Sequence, residues 1–369
     1  MLLSLILSFV LASMVTGSLI VSGHRHAHWS ADHDLSGPQK MHAVAVPRVG
    51  GIGIAVGWYA GLLGLFLHNR SLVWPLVYFL ACSAPCFAFG LQEDFTKAVS
   101  PRRRLVGAAL SGVLGIFFLN AVIVRTAIPG LDALVQGSFV FAACLTVLLV
   151  AGVVHAVNII DGMNGLASMS VAMMLLALGW IGHQVGDELV FGVAMAAAGG
   201  VLGFFVWNFP RGLVFLGDGG AYLLGFLVIE LGLVLLQRNP QVSPFAPLAI
   251  IIYPVFETVF TMYRRKMLKG KAVGLPDGIH LHTLLYRRVL RQAFGAAGGT
   301  AELARRNSMT SPYLWGLNLL AVLPAAVFWN SSPALLSAMA VFGLAYLALY
   351  WSIVRFCFPV WLAPRSRRG

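Results

Sequence analysis

Residues 136–165 read QGSFVFAACLTVLLVAGVVHAVNIIDGMNG. Positions 136–157 hold no Asp, Glu, Lys or Arg. A helix over them, rising 1.5 Å per residue, covers the roughly 30 Å of hydrocarbon in a bilayer. The character then changes within one turn. Asn158, Asp161 and Asn164 follow at a spacing of three, interleaved with Gly162 and Gly165 and with no Lys or Arg. On a helix or tight turn that spacing presents neighbouring oxygens to one cleft. The stretch therefore reads as a membrane span whose end carries a polar site.

Working outward, ten more stretches have the length and apolarity of a span, giving eleven: about 1–22, 44–67, 71–92, 104–124, 136–157, 166–185, 190–208, 213–236, 243–263, 312–330 and 333–357. The composition agrees. Of 369 residues only 10% are charged and 59% are hydrophobic, with mean hydropathy +0.84; an ordinary soluble domain has about 25% charged residues. The fold class is an all-α polytopic membrane protein, one integral membrane domain over 1–369 without an internal repeat. The longest polar stretch, 264–311, reads as a loop. The first apolar run lacks a basic region before it, which favours a first span over a cleaved leader. Cys82, Cys86, Cys144 and Cys357 lie in or beside apolar runs and read as small packing residues.

The net charge of +12 is topological. With the N-terminus outside and the C-terminus cytoplasmic, 22 of the 25 basic residues fall in cytoplasmic segments, leaving Arg70, Arg125 and Arg238 outside. No nucleic-acid partner is implied. Eight of the 13 acidic residues, among them Glu93, Asp94, Asp161 and Asp218, gather at the same ends, while Glu230 and Glu257 lie inside helices. A scaffold has no use for that gathering. A transporter would place its polar groups nearer the bilayer midplane.

Five constellations stand at those ends. Pro47-Arg48-Val49-Gly50-Gly51, preceded by Lys40, offers charge and close backbone N–H groups to an anion, or is a glycine-rich helix start. Glu93-Asp94-Phe95-Thr96-Lys97, followed by Arg102, Arg103 and Arg104, places carboxylates towards a cation or cleft, or pairs them with the arginines. Asn158, Asp161 and Asn164 are hard oxygen donors suited to Mg²⁺, or a polar turn; the lack of bases favours the site. Phe215-Leu216-Gly217-Asp218-Gly219-Gly220 buries a carboxylate that needs a cation or metal, among glycines that cost about 1 kcal/mol each in a helix interior. Pro276-Asp277-Gly278-Ile279-His280-Leu281-His282 brings two histidines that can bind a phosphate or a sugar. His24, His26, His28 and His33 read as a solvated loop.

In this order, over roughly residues 38–290, the set resembles the polyprenyl-phosphate N-acetylhexosamine-1-phosphate transferases, which include the lipid-linked GlcNAc-1-phosphate transferases and the phospho-MurNAc-pentapeptide translocase. The resemblance implies transfer of a sugar 1-phosphate from a UDP-sugar to undecaprenyl phosphate, with release of UMP, starting a cell-surface glycan. It implies a cytoplasmic-facing site in the bacterial inner membrane, Mg²⁺ with Mn²⁺ as a substitute, and is compatible with a homodimer. It assigns Asp218 and Asn158 as metal ligands, and Glu93, Asp94 and Asp218 as catalytic. Lys40, Arg48, Lys97, Asp161, Asn164, His280 and His282 become substrate contacts. The usual aspartate pair reads Glu93-Asp94 here, the usual DGxDG reads DGMNG with Asn164, and Thr283 follows the HLH. The HLH form sides with the GlcNAc branch; the pentapeptide transferase is the alternative. Reversion of Asn164 to Asp is expected to be tolerated.

Overall fold

The computed structural model describes residues 1–30, 46–268, 278–294 and 300–357. Lys40, His33 and the Pro276-Asp277 pair lie outside the described residues. The regular structure is helical: α1 Leu2–Val21, α2 Gly23–Ser30, α3 Gly50–His68, α4 Val73–Thr96, α5 Pro101–Leu119, α6 Pro129–Gly137, α7 Phe139–Ile160, α8 Leu166–Gln184, α9 Glu188–Asn208, α10 Gly217–Arg238, α11 Phe245–Ile250, α12 Ile252–Tyr263, α13 Leu281–Leu284, α14 Arg291–Phe294, α15 Thr300–Val327 and α16 Ser332–Val354.

Nine helical stretches among the described residues are long and apolar enough to cross a membrane, those of α1, α3, α4, α7, α8, α9, α10, α15 and α16. The two other expected spans differ for physical reasons. Helix α5 opens on Pro101 and then three arginines, capped by Ser100, whose hydroxyl accepts the Arg103 N–H at 3.4 Å. The stretch 243–263 breaks at Ile251 into α11 and α12. Pro254 has no N–H for the carbonyl of Ile250, and its ring crowds that carbonyl, so the helix cannot run straight through.

Helix α10 is the centre of the bundle. Every residue from Gly217 to Leu235 is buried, and α3, α4, α5, α7, α8 and α9 all pack on it. Helix α1 lies outside this core against α3 and α9. Its buried face is the small-residue stripe Ser4, Ser8, Ala12 and Thr16. In a bilayer, where burial in protein gives apolar side chains no advantage over lipid, close backbone approach is what holds helices together. The facing glycines of α3 recur every fourth residue at Gly53, Gly57 and Gly61, and the Ser8 hydroxyl donates to the Ala196 carbonyl of α9 at 2.6 Å.

The 264–311 stretch, expected as a long loop, carries short helical elements in its described part. A π-helical turn over Arg264–Leu268, the run from α13 through a second π turn to α14, and the first turns of α15 occupy its described part. Leu281, Leu285, Val289 and Leu290 are fully buried, an apolar face that draws the segment against the bundle. Some of its arginines go with it. Arg264 stacks on Tyr350 with the guanidinium 5.8 Å from the ring centre, and Arg306 on Tyr286 at 4.7 Å. The cysteines divide. Cys82 and Cys86 are buried as expected, but Cys144 and Cys357 are exposed.

A Cβ on Gly57 would lie 2.5 Å from the Ser8 carbonyl oxygen and 2.6 Å from the Ala12 Cβ. Gly57→Val is expected to push α1 off α3 and sharply reduce the yield of monodisperse protein in detergent, read by size-exclusion fluorescence, whereas Val56→Leu on the exposed side of α3 should leave it unchanged.

Candidate active site

The site forms where α3, α4 and α10 end together. The segment before α3 is pinned to the segment before α10 by backbone hydrogen bonds: Phe215 N–H to the Pro47 carbonyl at 2.8 Å, Gly50 N–H to Phe215 at 3.0 Å and Gly51 N–H to Leu216 at 2.9 Å. Helix α4 comes as close. A Cβ on Gly90 would lie 2.7 Å from the carbonyl carbon and oxygen of Asp218, and one on Gly51 would strike the backbone of Gly220. These glycines are the reason three helix ends can meet.

Asp94 closes the junction. Its carboxylate accepts the N–H of Asp218 and of Gly219, both at 2.8 Å. These are orphan donors in the first turn of α10, so a side chain of α4 caps a different helix. Asp94 is 1% exposed. Asp218 then stands in the first turn of α10, where the helix dipole favours an anion. Arg48 reaches its Oδ1 at 3.2 Å, Arg104 its Oδ2 at 3.0 Å, and the Tyr222 hydroxyl its Oδ2 at 3.4 Å. Arg48 is also 3.9 Å from Asp94. Glu93, the neighbour of Asp94, accepts the Val99 N–H at 2.8 Å and shapes the turn after α4. Of the three carboxylates expected to be catalytic, Glu93 and Asp94 accept backbone N–H groups, and Asp218 takes the two shortest arginine contacts.

Helix α7 delivers the second wall. His155 sets its ring edge-on to Tyr222, centroids 5.2 Å apart, and Asn158 follows one turn later. Asp161 caps α7 within electrostatic reach of Arg48 and Asp218. Burial of its carboxyl, partly opposed by Arg48 and reinforced by Asp218, pushes its pKa up to about 7. Gly162 packs against the ring of His282, whose Nε2 a Cβ there would strike. The HLH segment and the Asp161 loop are therefore adjacent. His280 gives Nδ1 to Glu257 at 3.0 Å, and Tyr346 donates to the other oxygen of Glu257 at 2.7 Å. Lys97 is exposed in the left-handed conformation that ends α4.

Asn164 points the other way, into the protein. Its amide nitrogen donates to the Pro210 carbonyl at 3.2 Å and to Ser308 at 3.3 Å. Several partners escaped the sequence reading. Glu257 had a signal, since a carboxylate in an apolar helix requires a partner. Tyr222 is one turn from Asp218. Which of three consecutive arginines meets Asp218 is decided by the packing of α5 alone.

The sequence profile of glycosyl transferase family 4 matches residues 76–236. The chain is 31% identical over 286 residues to the undecaprenyl-phosphate alpha-N-acetylglucosaminyl 1-phosphate transferase of Salmonella typhi, covering 74% of this chain and 75% of that one. It is 30% identical over 268 residues to the Escherichia coli K12 protein of the same name, covering 69% and 70%. A probable undecaprenyl-phosphate N-acetylglucosaminyl 1-phosphate transferase of Bacillus subtilis is 27% identical over 310 residues, covering 81% and 79%.

Two substitutions test this geometry. Gly90→Ala forces the start of α10 away from α4 and is expected to cut activity at least ~100-fold, the scale of losing a major electrostatic contact, in protein that still purifies. Asn164→Asp replaces a donor by an anion beside the Pro210 carbonyl. It is expected to destabilise by ~1–3 kcal/mol, measured as a lower Tm, against the tolerance that the family pattern suggests.

Proposed function

Because the chain belongs to glycosyl transferase family 4, we propose that it transfers N-acetylhexosamine 1-phosphate from a UDP-sugar to undecaprenyl phosphate, releasing UMP, as the first step of a bacterial surface glycan. The observation that carries this reading is the meeting of Asp218, held by Arg48 and Arg104, with the Asp161 loop and His282 at one end of a membrane bundle. The named relatives use undecaprenyl phosphate and transfer N-acetylglucosaminyl 1-phosphate. The membrane is the bacterial inner membrane, and the site opens to the cytoplasm. Eleven spans, counting α5 and the α11–α12 pair, put the N-terminus outside and the C-terminus inside, supported by the 22 of 25 basic residues that this places on the cytoplasmic side.

In the reaction an oxygen of the lipid phosphate attacks the β-phosphorus of the donor. One P–O bond forms, the bond to the bridging oxygen breaks, and that oxygen leaves on UMP. The second pKa of a phosphate monoester is near about 6, so the acceptor is already largely dianionic at neutral pH and requires no protein base. Bringing two anions together is the obstacle. Arg48 and Arg104 offer charge-assisted hydrogen bonds where the two phosphates meet, Lys97 adds charge at the rim, and His282 lies against the donor loop.

Mg²⁺ suits the residues present. Asp218, Asn158 and Asp161 are hard oxygen donors. Among the described residues no group of three or more His, Cys, Asp or Glu could hold a metal ion, so water and substrate phosphate would complete the shell, as Mg²⁺ allows. When bound, the ion neutralises the diphosphate and polarises the phosphorus under attack.

Purified protein with undecaprenyl phosphate, Mg²⁺ and a panel of UDP-sugars, including the MurNAc-pentapeptide donor, tests the proposal by UMP release. Activity with a UDP-N-acetylhexosamine that EDTA abolishes and Mg²⁺ or Mn²⁺ restores is expected, with a loss of at least ~100-fold in Asp218→Asn. Release of UMP from no donor, or full activity in chelator, refutes the corresponding part.

A further inference from the structure

Helix α15 lies beyond residues 76–236, where the family profile matches, and it is unusual for a span. Arg306, Asn307, Ser308, Thr310, Ser311 and Asn318 are all buried in it. Buried polar side chains are costly unless something satisfies them, so their partners show what the helix is for.

Three side chains of the helix, two of them from this set, reach one short loop. Asn307 accepts the backbone N–H of Asn164 at 2.7 Å, Ser311 donates to the backbone carbonyl of Asn164 at 2.6 Å, and the Trp315 indole N–H donates to the carbonyl of Gly165 at 3.1 Å. Positions 307, 311 and 315 are four apart and form one stripe on the helix. The turn between α7 and α8 is non-helical backbone at the end of a span, so its N–H and C=O groups need partners from elsewhere. The stripe supplies them. The side chain of Asn164 adds a fourth link to Ser308. Helix α15 also holds the HLH segment through Arg306 stacked on Tyr286 at 4.7 Å. One helix thus braces both walls between which Gly162 meets His282.

We propose that the Asn307–Ser311–Trp315 stripe of α15 is a positioning device for the sugar-nucleotide donor, fixing the Asp161 loop against His282 and thereby setting donor affinity. This rests on the donor site assigned under the proposed function. None of the three residues needs to touch the substrate. They act through the backbone of Asn164 and Gly165. The chain carries Asn, not Asp, at 164, which fits a loop held by hydrogen bonds to α15: an amide can donate to both Pro210 and Ser308, and a carboxylate cannot.

The test separates donor from acceptor. Full-length Asn307→Leu/Ser311→Ala is assayed for UMP release with UDP-GlcNAc, or the UDP-sugar the wild type uses best, and undecaprenyl phosphate, each varied in turn, with Tm measured alongside. Losing two bonds to buried backbone groups is expected to raise the donor KM at least ~10-fold, with the acceptor KM within about twofold. Asn307→Asp keeps an acceptor for the Asn164 N–H and is expected to stay within about threefold of wild type for the donor. Should the double variant not fold, Ser311→Ala alone decides, with an expected rise in donor KM of about threefold. An unchanged donor KM overturns the inference. So does a joint rise of both KM values with a fallen Tm and no rescue by Asn307→Asp, because that is general loosening. A wild-type protein that releases no UMP would sink the proposed function and this inference together. A normal wild type with an insensitive donor KM would sink the inference alone.

Discussion

The contact on which the site depends is the carboxylate of Asp94 against the first turn of α10. A helix end buried in protein leaves N–H groups with no partner unless a side chain provides one, and Phe215 and Leu216 before α10 have no side-chain oxygen to offer. Asp94 takes the N–H groups of Asp218 and Gly219 from across the helix interface. That fixes the start of α10 relative to α4. It also turns the adjacent Asp218 carboxylate towards the arginines of two other segments.

The glycines follow from this contact. Asp94 has a short side chain, so α4 and α10 must nearly touch for it to reach, and a methyl group at Gly90 would already overlap the Asp218 carbonyl. The same holds for α3 at Gly51. Glycines that look like a phosphate-binding loop in the sequence are here spacers that allow backbones to meet. The local helix propensity they forfeit is offset by the close packing and the backbone hydrogen bonds that they allow between the three helices.

The spans were legible because a bilayer imposes one requirement, length of apolar helix, that a single chain displays openly. Where helices depart from the expected pattern the cause is local: arginines opening α5, and Pro254 breaking the stretch at Ile251. The site was legible as residue types at one end of the bundle. Its pairings were not. That Asp94 caps α10 while Glu93 holds Val99, that Arg104 rather than Arg102 or Arg103 meets Asp218, and that Glu257 waits for His280 are consequences of tertiary packing at separations of 6 to 124 residues. The buried polar stripe of α15 was the least visible. In sequence 306–311 is the tail of a basic polar stretch, and nothing local distinguishes a polar residue facing water from one facing a backbone.

The charge balance of the junction bears on how substrates enter. Asp94, Asp218, Arg48 and Arg104 lie within one set of contacts and sum to zero when ionised. A neutral cluster is what a site bordering hydrocarbon can hold at rest, because an uncompensated charge there is expensive. On the proposed function, a divalent cation alone would leave that cluster with an excess of two positive charges, and a diphosphate alone with a negative excess. Together they nearly cancel, and the charge still to be offset is that of the acceptor phosphate, which falls to the basic residues around the site. Asp218, paired here with Arg48 and Arg104, would on that reading help hold the cation, and the two arginines would be available to phosphate oxygens.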